Sequence, residues 1–163
     1  MPTAIIDVHT VVLFVHILAV VVGFGVVFTY PLLDAYARRT NVVDLVALHR
    51  FQVFLTSRLI QPALLVILVA GIYLATDDER GYSLGDPWIS AAFAIVIVLG
   101  GLAGAVFGPT EKKLLALAQR ELKQGQKPSA AYEREAIKLA RFGALGSLLI
   151  VVALFLMVTK PGA

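Results

Sequence analysis

At 163 residues, 59% hydrophobic and only 15% charged, with a mean hydropathy of +0.86, the chain is too apolar for a soluble domain, where about half the residues are apolar and about a quarter charged. The length suits one domain, 1–163, and the absence of cysteine excludes disulfides, thiolate metal centres and thiol catalysis. The net charge of +3 comes from basic residues lying between apolar runs, so it reports orientation in a lipid bilayer, with no nucleic-acid footprint.

The first apolar run dominates the chain. Val11–Phe28 holds a single polar side chain, His16, among 18 residues. Its leader, MPTAIIDVHT, has no Lys or Arg, and the run offers no small-residue cleavage site, so it is expected to be retained as a span. Three further charge-free runs follow, Leu59–Ala75, Ile89–Phe107 and Phe142–Val158, each of 17 residues or more. At ~1.5 Å per residue such runs cover most of a ~30 Å hydrocarbon layer. In lipid each must satisfy its own backbone hydrogen bonds, so each is a helix. The fold class predicted is all-α: a polytopic four-transmembrane-helix bundle with spans near 8–33, 55–75, 88–108 and 142–159.

The connections orient it. The first carries Arg38, Arg39 and Arg50, with Arg58 just inside the second span. The second, TDDERGYSLGDPW, holds four acids and one base, Arg80, while Gly108–Arg141 holds eight Lys or Arg. Positive-inside bias places the first and third connections in the cytoplasm and both termini outside. The first connection has apolar residues at helical spacing and begins the second helix early, with Asn41 or Asp44 as cap. The third divides into two amphipathic halves. TEKKLLALAQREL carries a stripe of Leu114, Leu115, Leu117, Ala118 and Leu122, Gly125 stops it, and Ser129 caps the next helix, which runs unbroken into the fourth span. Spans three and four therefore extend as a basic cytoplasmic helical hairpin.

Small residues mark expected packing seams: Gly100, Gly104 and Gly108 on the third span, Gly143 and Ser147 on the fourth. Four-residue spacing lets helix backbones approach closely in lipid, within one chain or between copies. Arg58 and Gln61 belong to the inner interface and Trp88 to the outer one.

Three histidines are the whole metal and acid–base repertoire of the imidazole kind. His9 and His16 share a face but lie ~10.5 Å apart along the axis, too far to hold one metal atom together. His9 reads as an interface residue. His16 is either a core histidine bonded to a neighbouring helix or a ligand, since neutral imidazole suits haem iron and other transition metals. His49 lies more than ~10 Å deeper by rise arithmetic, which disfavours a bis-histidine haem. No Ser-His-Asp set, phosphate loop or paired intramembrane carboxylate appears, so no catalytic residues are assigned.

Several fragments carry a resemblance. His16-Ile-Leu-Ala-Val, with Gly25 and Pro31, resembles the first helix of the HemJ-type membrane protoporphyrinogen oxidases and of CopD-like proteins. Arg58-Leu-Ile-Gln-Pro-Ala and Gly71-Ile-Tyr-Leu resemble the second helix of the HemJ type. Trp88-Ile89 opens the third span similarly, and Arg141-Phe142 with Val158-Thr-Lys-Pro161 is similar to the last helix. The resemblance implies a bacterial four-helix protein of the cytoplasmic membrane, with haem as candidate cofactor and His16 as its axial ligand. It departs where the family's third-helix lysine would fall, near Ala92, and where its Asn-Glu-x-Pro run would fall, in Gly143–Ser147. Copper handling is poorly equipped, with only Met1 and Met157 as thioethers.

Three classes of function remain. The first is a non-enzymatic membrane protein working as a homo-oligomer or as a subunit of a larger complex. The second is a haem or porphyrin protein using His16. The third is a permeation protein for small solutes or ions, with only His16, Thr29, Thr56, Ser57 and Gln61 as polar groups along its path.

Overall fold

The computed structural model describes residues 7–40, 42–76 and 83–162. Helix α1 (Val8–Gly25) passes through a 3-10 turn (Val26–Thr29) into α2 (Tyr30–Thr40). Helix α3 (Val42–Leu55) passes through a π-helical turn (Thr56–Ile60) into α4 (Gln61–Ala75). Helix α5 (Pro87–Leu102) passes through a second π turn (Ala103–Phe107) into α6 (Gly108–Lys123), and α7 (Ala130–Thr159) is uninterrupted. The predicted all-α, four-span bundle is therefore present, and no strand occurs among the described residues.

The four long helices run for 32, 33, 37 and 30 residues. At ~1.5 Å per residue that is ~45–55 Å, well beyond a ~30 Å hydrocarbon layer. The surplus, in α2, α3, α6 and the start of α7, forms a second tier at one end of the bundle. Between 11 and 33% of each apolar window is buried inside the chain. Phe14, Val21, Leu65, Ile97 and Phe155 face outward, as lipid-facing side chains do.

Local signals explain the ends. Asp7 accepts from the Thr10 amide at 2.6 Å and Ser129 from the Tyr132 amide at 3.2 Å, both N-caps. Gly125, at φ +62°, closes α6 in the left-handed conformation that glycine adopts without cost. Gly125 and Ser129 thus act as the spacing predicts. Asp44 lies inside the first turn of α3, whereas Asn41, Asp77, Arg80, Tyr82 and Met1 fall outside the described residues.

One boundary differs. The first span was expected to end at Leu33, but the helix continues to Thr40. Asp34 and Arg38, one turn apart, pair at 2.7 Å and support that extension.

Helix α1 packs along α4, α2 along α3, α3 along α6, and both α5 and α6 along α7. Three buried clusters stack along the axis. Trp88, Ile89 and Ala75 fill one end. Phe24, Ile60, Leu64, Ile67, Leu99 and Ile150 are central to the middle cluster. Leu45, Leu48, Leu114, Ala118 and Tyr132 are central to the second tier.

Candidate functional site

Three prolines set the level of the site. A proline cannot donate to the carbonyl four residues back, and its ring crowds that carbonyl, so the preceding turn must tighten or open. The carbonyls concerned are those of Val27 for Pro31, Arg58 for Pro62 and Ala105 for Pro109. Each lies within one of the three irregular turns, Val26–Thr29, Thr56–Ile60 and Ala103–Phe107. The two π turns touch each other, and the 3-10 turn and the second π turn both touch α7. All three distortions thus stand at one height, a setting in which π turns often mark function.

At that height the four helices surround a cavity of about 400 Å³, a size that suits a small organic ligand. It separates the middle core from the second tier. Helix α7 leaves it open because Ala136, Ala140, Gly143, Ala144 and Ser147, spaced three or four apart or adjacent, share one face and offer little volume. Opposite stand Val27, Tyr30 and Pro31 from the first helix, Ile60 from the second and Phe107 from the third. Pro31, Ala140 and Ala144 are exposed, so the cavity reaches the lateral surface between α2 and α7.

Its polar equipment is concentrated. Glu111 is 2% exposed. Its Oε1 accepts from Thr56 Oγ1 at 3.0 Å, and its buried Oε2 has no hydrogen-bond partner. The Tyr30 hydroxyl lies beside Thr56 and near Glu111 but makes no hydrogen bond of acceptable geometry. A buried polar atom left unpartnered costs about 1–3 kcal/mol, more for a charge. For the fold alone, these two groups are liabilities.

His49 is 1% exposed and held on both sides. Its Nδ1 lies 2.7 Å from Gln52 Oε1 and its Nε2 lies 2.7 Å from Tyr132 Oη. With the amide oxygen facing it, Nδ1 carries the proton and donates, while the Tyr132 hydroxyl donates to Nε2. Arg38 covers the same tyrosine, 5.6 Å from the ring centroid. It donates from Nε to Asp34 at 2.7 Å and from Nη1 to both oxygens of Glu133 at 2.9 and 3.0 Å. This network ties α2, α3 and α7 together at the second-tier end of the cavity. It gives Asp34, which lines the cavity, a cationic partner, but among the described residues no ion pair reaches Glu111.

The residues singled out in the sequence mostly lie elsewhere. His16 is half-buried and outside the cavity. Its ring fills the notch left by Gly71: a Cβ there would stand 3.4 Å from His16 Cε1 and 3.7 Å from Phe93 Cζ. Nδ1 of His16 is buried without a partner, while the Ile67 backbone of the neighbouring helix α4 stands within hydrogen-bonding reach of the ring. The surroundings do not fit a haem: the notch is occupied by helix packing, and Ala92, at the second ligand's expected place, is 1% exposed. Among the described residues no group of three His, Asp or Glu side chains could hold a metal ion.

The small residues also divide differently. Around Gly100, Gly104 and Gly143 a Cβ would meet nothing within 4 Å, so they are not seams within this chain. Gly143 and Ser147 instead face the cavity, and Gly108 meets only the Ala103 carbonyl, at 3.4 Å. The closest approach is Gly23 against Ala63, where a Cβ would lie 2.6 Å from the alanine's own. Arg58 and Gln61 are exposed, and Asp34 pairs with Arg38 rather than Arg58. Trp88 is at the end opposite the cavity but buried, 6% exposed, with Lys160 5.8 Å from its ring centroid.

Glu111 lies in the half TEKKLLALAQREL, where the sequence marks the apolar stripe but no site residue. Its signal is positional: Glu111, Leu114, Ala118 and Glu121 share one face of α6, and all four are buried. Two acids thus sit on an apolar stripe.

Residues 10–161 match the model of a family described as "Predicted integral membrane protein (DUF2269)". No curated protein and no solved structure matches the chain.

Proposed function

This chain belongs to the DUF2269 family of predicted integral membrane proteins, and we propose that it is an intramembrane binding protein that holds a small amphiphile in the cavity between its four helices. The observation that carries this is Glu111, an acid with one unpartnered buried oxygen on the wall of a cavity about 400 Å³ in volume. Groups that cost stability when unpartnered find their natural use against a ligand. The apolar walls and the opening between α2 and α7 suit a molecule that arrives from lipid.

Orientation follows from charge. With the arginines of the first connection and the bases of the α6–α7 hairpin held inside, the cavity stands at the cytoplasmic leaflet, and both termini are outside. We place the protein in the cytoplasmic membrane of a bacterium on the resemblance given above. Transmembrane permeation is less favoured. The middle cluster of Phe24, Ile60, Leu64, Ile67, Leu99 and Ile150 fills the bundle beyond the cavity with apolar side chains.

The test uses a diazirine-bearing octanol as photoprobe in lipid nanodiscs, with labelled residues mapped by mass spectrometry. Labelling should concentrate on residues facing the cavity and be lost in Gly143→Leu, which fills it. Labels spread over the lipid-facing side chains, indifferent to Gly143→Leu, would overturn the proposal.

A second reading, assembly of several copies, is favoured by one observation. Gly100 and Gly104 are exposed on one face of α5 and its following turn, with open space around both. That is the arrangement through which a second copy could approach.

A further inference from the structure

We infer that the cavity selects for a monovalent, lipophilic amine: an ammonium group on an apolar body small enough for the trough in α7. This rests on the proposed binding role and adds the charge of the ligand. Five observations converge. Glu111 is buried at 2% exposure, its Oε2 is unpartnered, and it lines the cavity. Among the described residues no lysine or arginine lines that cavity. Its other carboxylate, Asp34, is paired with Arg38, which it shares with the more exposed Glu133. His49, the remaining titratable nitrogen there, is engaged at both ring atoms by Gln52 and Tyr132. The Tyr30 hydroxyl, also unpartnered and beside Thr56, adds an oxygen able to accept from an N–H.

A cation entering from lipid would therefore meet in Glu111 the cavity acid that no described base reaches. The ion pair so formed is overall neutral, which is the form in which charges are tolerated in a low-dielectric site. The ammonium's protons would be shared among Glu111 Oε2 and the neighbouring oxygens. The apolar body would lie against Ala140, Gly143 and Ala144 and extend through the lateral opening beside Pro31. An anion would face Glu111 without relief, and a neutral amphiphile would gain only the apolar contact. Arg38 stays outside this scheme because its guanidinium is occupied by Asp34 and Glu133.

The experiment measures displacement of the diazirine-octanol probe from the whole protein in zwitterionic nanodiscs. The competitors are octylamine, N-octylacetamide, octanol and octanoate, compared at equal membrane-bound concentrations. Octylamine should displace the probe about tenfold more effectively than octanol or N-octylacetamide, a charge-assisted hydrogen bond being worth at least that factor. Octanoate should be the weakest. In Glu111→Gln the advantage of the amine should fall to about twofold or less. Equal displacement by all four competitors would overturn the selectivity while leaving the binding role intact, as would octanoate being strongest. Failure of every competitor, with labelling insensitive to Gly143→Leu, would overturn both. The N-octylacetamide comparison on the unmutated chain keeps the inference open to refutation even if Glu111→Gln does not fold.

Discussion

Thr56 Oγ1 donates to Glu111 Oε1 across 3.0 Å, joining one π-helical turn to the helix that leaves the other. Both residues are buried, at 3% and 2% exposure. Thr56→Val leaves the second carboxyl oxygen as bare as the first, and a loss of about 1–3 kcal/mol in stability is expected. Glu111→Gln keeps an acceptor and removes the charge, so its stability should equal or exceed that of the unmutated chain, as when a functional residue is exchanged for a structural one. Unfolding in nanodiscs reads both. A fully stable Thr56→Val chain would show that the bond contributes nothing.

Pro109→Ala restores the amide that the Ala105 carbonyl lacks. The turn at Ala103–Phe107 should then relax toward regular helix, with slower amide exchange there. Removing an interior proline relieves a helix by up to ~3 kcal/mol, so stability should hold or rise while photolabelling within the cavity drops severalfold. Unchanged exchange at residues 103–107 would mean that packing, rather than the proline, sets the π turn.

The bundle was legible because lipid simplifies the code: four long apolar runs admit few alternatives, and Gly125 and Ser129 punctuate the hairpin by local chemistry alone. The site was less legible. His16 drew attention as an isolated polar residue in an apolar run, yet its ring packs into the notch at Gly71, a contact between residues far apart in sequence. Glu111 is followed by Lys112 and Lys113, and adjacent charges give no sign of burial. Only its position on the Leu114–Ala118 face marks it as buried. The prolines 31, 62 and 109 were each visible, but the chain order does not reveal that folding would bring their distorted turns to one height. Gly143 and Ser147 were read as a packing row, whereas small side chains serve equally well to leave space unfilled.

The Arg38 network should behave as a clamp between α2 and α7. Arg38→Lys keeps the charge but cannot reproduce a planar group that reaches Asp34 and Glu133 while lying over Tyr132. With the side chain about a third exposed, each pair is worth only ~0.2–1 kcal/mol. A double-mutant cycle of Arg38→Lys with Glu133→Gln should give a coupling of about that size, shrinking as salt rises. Additive effects at low salt would show the clamp to be inert.

Glycines separate contacts within the chain from contacts between chains. At Gly23 a new Cβ would stand 2.6 Å from the Ala63 Cβ, an atom fixed to the backbone that cannot swing aside. Gly23→Ala should therefore cost about 1–3 kcal/mol, despite a gain in helix propensity of about 1 kcal/mol. Gly100→Ala and Gly104→Ala meet open space and should keep only the propensity gain. If a second copy packs on that face, Gly104→Leu must wedge the two apart. Mass photometry in nanodiscs would then show a smaller particle with an unchanged single-chain melting profile. An assembly that persists in Gly104→Leu would move the seam elsewhere, and a particle that is monomeric before mutation would leave the exposed row to lipid alone.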